Sequence, residues 1–118
     1  MALQSLQRVD KPWGYELIWA RTHGYAAKIL HIKGGHKLSL QYHRQKEETI
    51  YLQSGRMILV IENDHGELCD VELSVGQAHH VAVGRRHRMI AIEDTVDRVI
   101  AVLRGRIADG SAIAAARR

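Results

Sequence analysis

The chain has 118 residues and a formal net charge of +4, a length that suits one domain with a single core. Its longest apolar run, 57–61, is too short to cross a membrane, and the first residues lack the charged start and apolar stretch of a signal peptide. The basic residues are scattered, with no long run and no aromatic stacking motif among them, which argues against a nucleic-acid partner.

Between residues 12 and 103 the hydrophobic pattern indicates short strands separated by turns, and no amphipathic helix is evident. The predicted strands, in chain order, are 15–20, 25–32, 38–43, 49–53, 57–61, 67–73, 80–83, 87–92 and 96–103. The turn sequence Asn63-Asp64-His65-Gly66 is a strong hairpin signal. Many short strands at close spacing predict an all-β protein, and a jelly roll fits their number.

The domain organisation follows from this pattern. We assign 1–10 to an N-terminal lead-in and 11–103 to the barrel. The remaining stretch, 104–118, is rich in alanine, and we expect a short terminal helix or a loose tail there.

The segment 38–43 alternates strictly between apolar and polar residues. A strand with this period of two would place Leu38, Leu40 and Tyr42 on one face. The other face would carry the polar side chains, which are Ser39, Gln41 and His43.

Four side chains form a predicted metal site. Gln41 and His43 leave the same face of their strand, and Glu48 follows after a tight connection. His87 comes from a distant hairpin, so only a closed barrel would bring it close to the others. Two imidazoles, one carboxylate and one amide oxygen suit one divalent ion of Zn, Mn, Fe, Co or Ni.

Two motifs contain these candidate ligands. Gly35 to Gly55 follows G-x5-Q-x-H-x4-E-x6-G, and Gly76 to His87 follows G-x5-A-x-G-x2-H. They resemble the two motifs of the cupin superfamily, with glutamine in place of the usual first histidine. The resemblance implies a single cupin jelly-roll barrel, also called a double-stranded β-helix. It also favours Glu48 over the neighbouring Glu47 as ligand, because six residues then precede the closing glycine.

Within that superfamily the chain resembles the C-terminal cupin domain of type II mannose-6-phosphate isomerase/mannose-1-phosphate guanylyltransferases. The similar segments are Lys-Pro-Trp-Gly-Tyr-Glu at 11–16, Lys-Ile-Leu-His-Ile-Lys at 28–33 and Leu-Ser-Leu-Gln-Tyr-His at 38–43. The chain departs from that family at 44–47, where Arg-Gln-Lys-Glu replaces a histidine-rich string, and at Ala82 and Ala91.

This resemblance implies a metal-dependent aldose–ketose isomerase acting on a sugar or sugar phosphate. The base that moves the proton is Glu48, His36 or an unassigned group. The substrate would contact Ser39, and its phosphate would be held by Lys28, Arg85 or Arg88. Two alternatives stay open, a non-haem metal dioxygenase and a non-catalytic cupin that binds a small ligand.

The remaining expectations concern partners and location. We expect a small anionic or sugar-like ligand, no nucleic acid, no membrane, and a homodimer with Trp13 or Trp19 near the contact. The only cysteine, Cys69, cannot form an internal disulfide, which favours a reducing cytoplasm.

Overall fold

The computed structural model describes residues 5–104, and within them nine strands form two antiparallel sheets. The strands are β1 (Gln7–Lys11), β2 (Gly14–Arg21), β3 (Tyr25–Ile32), β4 (Lys46–Ser54), β5 (Met57–Glu62), β6 (Leu68–Leu73), β7 (Ala78–Val81), β8 (His87–Ala91) and β9 (Thr95–Leu103). The larger sheet has the order β1-β2-β3-β9-β4-β7, and the smaller has the order β6-β5-β8. The predicted all-β jelly roll is confirmed.

The core lies between the inner faces of the two sheets. Residues alternate between buried and exposed along β9, and between buried and half-buried along β8, as period-two strands with one face inside require. Ile50, Leu52, Met57 and Leu59 are fully buried at the centre of the hydrophobic cluster. The β5–β6 hairpin predicted at Asn63-Asp64-His65-Gly66 is present.

β1 lies in the segment that the sequence assigned to a lead-in. Gln7–Lys11 has no alternating apolar pattern and stays largely exposed, so hydrophobic periodicity could not reveal it. It is an edge strand held by backbone pairing with β2 and by the Arg8 guanidinium, which lies 3.8 Å from the centre of the Tyr15 ring.

The predicted strand 38–43 is wrong, because this segment makes only isolated bridges to β8. The amides of Gly35, Leu38 and Gln41 donate to the carbonyls of Ala91, Met89 and His87, in that order. Three residues here therefore span the same distance as two residues of β8, as in a repeated bulge. The period of two is lost, and Leu38 is buried while Leu40 and Tyr42 are exposed.

No helix in the described part of the chain has the length and hydropathy needed to cross a membrane. Arg104, the last residue that the structure describes, donates a side-chain hydrogen bond to Glu47 at 2.6 Å. The expectation of a terminal helix or tail concerns residues that otherwise lie outside the described range.

One carboxyl group is buried in this core. Asp97 points inward from β9 between the register partners Leu30 and Leu52, and it is fully inaccessible to solvent. Neither carboxyl oxygen has a hydrogen-bond partner among the described residues. Burial, with a smaller contribution from the negative charge of Glu48, raises the pKa of Asp97 to about 8. The side chain is therefore protonated in the folded protein at neutral pH.

This protonation makes stability depend on pH. The folded pKa of Asp97 exceeds the unfolded value, so its contribution to stability is fully present below about pH 4 and decreases as pH rises toward about 8. The free energy of unfolding of the wild type should therefore fall by an amount on the order of 3 kcal/mol between pH 5 and pH 8. We expect Asp97→Asn to abolish this decrease. Denaturant unfolding at both pH values measures it, with the exposed Asp70→Asn as control. Equal pH slopes for wild type and Asp97→Asn would contradict the assignment.

Candidate metal centre

Two backbone contacts bring the histidine-bearing segments together. The Gln41 amide donates to the His87 carbonyl at 3.0 Å, and the His87 amide donates back at 2.8 Å. The amide of Gly84, in the turn between β7 and β8, donates to the His43 carbonyl at 2.8 Å. These contacts fix the positions of His43 and His87, although the two residues are far apart in sequence and neither pairing belongs to a regular strand ladder.

Glu48 enters from the larger sheet. β4 begins at Lys46, three residues before the predicted start, so Glu48 belongs to the strand and not to its connection. It is paired with Val81 of β7 and Ala101 of β9, and its side chain is on the same face as the buried Ile50. The strand therefore directs Glu48 into the barrel.

The three side chains meet at one carboxylate oxygen. His43 Nε2 lies 3.1 Å from Glu48 Oε1, and His87 Nε2 lies 2.9 Å from the same atom. The imidazole rings are 5.4 Å apart between centroids, and both histidines are buried. One ligand atom from each residue falls within 4.8 Å of the others, as a shared cation requires. Three of the four predicted ligands are thus brought together.

The hydrogen bonds of His87 test whether a cation suits this group. His87 Nδ1 is 2.9 Å from the Arg85 carbonyl oxygen, which only accepts, so Nδ1 carries a proton. A neutral ring then presents the lone pair of Nε2 to a carboxylate oxygen, which is repulsive. Either a second proton or a cation must lie between them. The fixed tautomer is the arrangement found for histidine ligands of metals, so these residues fit a divalent cation.

Hydrogen bonds connect the three side chains, and these bonds shift the pKa values of Glu48 and His87. Burial works to raise the pKa of Glu48, but hydrogen bonds from His43 and His87 outweigh it and hold that pKa well below its ordinary value. Burial likewise works to lower the pKa of His87, yet the bonds to Glu48 and to the Arg85 carbonyl raise it above the ordinary value. Glu48 is therefore a carboxylate at neutral pH, the form that binds metal.

Gln41 stays a predicted fourth ligand, whereas the predicted base His36 lies away from the cluster. Gln41 is half-buried and is joined to His87 through its backbone. His36 is exposed, and its Nδ1 lies 3.3 Å from the Gly34 carbonyl. Its own carbonyl accepts from the amide of Ala91, four residues along β8 from His87. The structure therefore does not bring His36 to the cluster.

Of the predicted substrate contacts, Lys28 is the one that lies on the wall of a large cavity. It lines a cavity of about 850 Å³ whose wall also includes Glu48. Ser39 is exposed, and the Arg85 guanidinium contacts Asp64 in the β5–β6 turn. Arg88 follows His87 directly on β8 and so points to the opposite face of that strand.

Sequence reasoning missed Lys46. It is buried, and it lines the same cavity as Glu48. Burial lowers the pKa of Lys46 below its ordinary value, and the charge of Glu48 opposes the shift. The signal was present, because Lys46 and Glu48 are two residues apart and share a face once β4 includes both. The predicted start of that strand at residue 49 concealed it.

The match to known proteins agrees with this geometry. The cupin domain family matches residues 28–104, most of the chain. The chain belongs to the cupin family. No curated protein matches this cupin.

Solved structures with a similar fold include three informative neighbours. KdgF from Halomonas sp. has a TM-score of 0.72 at 20% identity, with 86% of this chain and 90% of that one covered. A single-residue variant of oxalate decarboxylase from Bacillus subtilis has a TM-score of 0.73 at 15% identity, and the capsular polysaccharide assembling protein CapF from Staphylococcus aureus has 0.71 at 17%. The matches cover 83% and 88% of this cupin but only 27% and 30% of those longer chains. At these identities the likeness establishes the fold.

Removing one histidine should remove the metal. We expect His43→Ala to weaken binding of a divalent cation by more than about tenfold, because one of three convergent donors is lost. His65→Ala, in the exposed β5–β6 turn, should retain the metal content of the wild type. Elemental analysis of both purified variants, as isolated and after reloading with Zn, Mn, Fe, Co or Ni, measures this. Equal metal content in the two variants would refute the ligand assignment.

Proposed function

We propose that this cupin is a metal-dependent isomerase that interconverts the aldose and ketose forms of a sugar or sugar phosphate. The observation that carries the proposal is the position of Glu48. It belongs to the His43–Glu48–His87 group and also lines the cavity of about 850 Å³. A small ligand in that cavity would therefore lie beside the cation site. The resemblance to type II mannose-6-phosphate isomerase domains supplies the reaction class.

Two structural neighbours support the proposal, one for the metal ion and the other for the sugar-like ligand. One solved structure of Bacillus subtilis oxalate decarboxylase concerns its Mn(II) centres, and the fold match to this cupin has a TM-score of 0.74. CapF is described as assembling capsular polysaccharide. A cation at the His–Glu group and a sugar-like ligand in the cavity are both consistent with these relatives.

The proposed reaction needs no oxidant or reductant. The base removes the proton on C2 of the aldose to give an enediolate, and the same proton is then delivered to C1 while the O2 proton moves to O1. A bound divalent cation would supply Lewis acidity at the adjacent oxygens of the substrate. Glu48 is ionised and faces the cavity, so it is the candidate base through the carboxylate oxygen that the cation would leave unbound. The barrel excludes bulk water from one side of the bound sugar.

Isotope exchange tests the reaction directly. We expect protein loaded with Zn, Mn, Co, Ni or Fe to incorporate deuterium from D2O at C1 or C2 of mannose 6-phosphate, fructose 6-phosphate or the free sugars, as observed by NMR. His43→Ala should reduce that rate by at least about a hundredfold, because the cation is lost. His65→Ala is the matched control. Absence of exchange with every metal, or oxygen consumption by the iron form in its place, would overturn the proposal.

We also propose that the cupin is a homodimer that covers the outer face of the larger sheet. This outer face presents large apolar side chains on four adjacent strands, which are Leu17, Trp19, Ile29, Tyr51 and Ile100. Trp19 is 49% exposed and Ile100 is 45% exposed, and an apolar patch of this kind is typical of interfaces. The other predicted contact residue, Trp13, packs against the core.

Light scattering tests the dimer. We expect a wild-type mass near twice 13.3 kDa at micromolar concentration, and a monomer for Ile100→Glu, because a carboxylate would be buried at the contact. Val75→Glu alters an exposed apolar residue in the β6–β7 connection, away from the sheet face, and should leave the mass unchanged. A monomeric wild type would refute the proposal.

A further inference from the structure

The cavity exists because short side chains occupy the inner face of the larger sheet beside Glu48. Ala26 of β3 and Ala101 of β9 are register partners, and Ala101 is also paired with Glu48 of β4. All three residues line the cavity. Two neighbouring alanines leave open space above the sheet, where larger side chains would fill the barrel. This space extends toward the β2–β3 turn, whose residues 21–23 form part of the wall.

Two lysines lie in the cavity wall near these two alanines. Lys28 belongs to β3 and Lys46 to β4, so they flank β9 from opposite sides, and both line the cavity. Lysine is rarely buried this deeply unless it faces opposite charge, yet Lys46 is only 5% exposed. The Lys46 side chain is thus held at the cavity wall, whereas the Lys28 side chain is half-buried at 30% exposure.

The two carboxylates near these lysines, Glu16 and Glu48, have different binding partners. Lys28 Nζ lies 3.5 Å from Glu16 Oε1, so Glu16 is its direct partner. Burial lowers the pKa of Lys46, the charges of Glu48 and Glu16 raise it, and the nearby charge of Lys28 lowers it further. Glu48 is in turn the residue that the His43–Glu48–His87 group would use to hold a cation. A divalent cation bound there carries more charge than the single carboxylate of the group, so the end of the cavity beside Glu48 becomes positive.

We propose that Lys28 and Lys46 form an oxyanion subsite that binds the carboxylate or phosphate group of the ligand. Lys46 and Glu48 are two residues apart on one face of β4, so their backbone positions are about 7 Å apart. The cavity could therefore hold a small polyhydroxy molecule with its acidic group at the lysines and its opposite end at the cation. The assignment deepens the proposed function, on which it rests for the cation, and adds Lys46 to the Lys28 contact.

The subsite has a thermodynamic consequence. Because a bound divalent cation adds positive charge beside the cavity, it strengthens the attraction for an anion at the lysines, and anion binding strengthens cation binding by the same factor. The ligand and the cation are therefore taken up cooperatively. A neutral polyol gains nothing from this coupling, so the cavity discriminates by charge as well as by shape.

Three probes with the same six-carbon polyol skeleton test the subsite. They are gluconate, glucitol 6-phosphate and neutral glucitol, measured by isothermal titration calorimetry on zinc-loaded and chelator-treated protein. We expect at least one of the two acids to bind the loaded protein at least about tenfold more tightly than glucitol, and more tightly than it binds the chelated protein. The tighter acid identifies whether a carboxylate or a phosphate is the natural group. Equal affinity for all three probes would overturn the proposal.

Variants locate the site. Lys28→Met and Lys46→Met keep the aliphatic stem, and each should weaken binding of the preferred acid by about tenfold without changing that of glucitol. Lys28→Arg should retain binding, because the charge remains. Lys37→Met removes an exposed lysine outside the cavity and is the matched control. If Lys46→Met fails to fold, Lys28→Met and Lys28→Arg still decide the question. An equal effect of Lys37→Met would refute it.

The results separate this proposal from the isomerase. Lysine-dependent binding of an acid without isotope exchange would preserve the subsite and reject the isomerase. Exchange on a sugar phosphate that is unaffected by Lys28→Met and by Lys46→Met would support the isomerase and reject the subsite.

Discussion

The Glu48 carboxylate lies inside a closed barrel, where an ionised group is costly unless hydrogen bonds or opposite charges surround it. His43 and His87 satisfy this requirement through the same carboxylate oxygen, and neither is near Glu48 on a shared strand. The site therefore depends on the irregular pairing of the segment before β4 with β8. If that pairing slipped, Glu48 would lose both imidazoles and remain as a buried, uncompensated charge.

The same irregular pairing explains how a site can sit in an otherwise regular sandwich. Elsewhere the two sheets bury mainly aliphatic side chains on alternating faces of their strands. Where three residues oppose two of β8, the chain leaves that pattern, and the His43 side chain can enter the barrel from its end. On the opposite wall, Ala26 and Ala101 leave the room that a ligand would use.

Charges on the inner face of the larger sheet follow from this arrangement. Glu16 and Lys28 form an ion pair on neighbouring strands, and Lys46 lies on the same inner face as Glu48 on β4. Such groups reduce the area of apolar packing and raise the free-energy cost of folding, and departures of this kind are expected at functional sites. Asp97 differs, because it is enclosed by aliphatic neighbours and stays protonated.

Sequence patterns correctly predicted most strands, the β5–β6 hairpin and the convergence of His43, Glu48 and His87. The strands and the hairpin could be predicted because alternating burial and turn residues depend on a few neighbouring residues. The convergence of the three side chains was predicted from the spacing of the two motifs. The edge strand β1 could not be predicted in this way, because backbone pairing with β2 holds it without an apolar face.

By itself the sequence determined the fold class, the hairpin turn and the three residues that converge in the barrel, because these depend on residue type and motif spacing. Only the tertiary structure decided which charged side chains face one cavity. The predicted contacts Lys28, Arg85 and Arg88 look alike in sequence, yet only Lys28 lines it. Lys46 joins it because β4 begins early enough to turn that side chain inward. Side-chain direction depends on strand register, and register is set by contacts between segments distant in the chain.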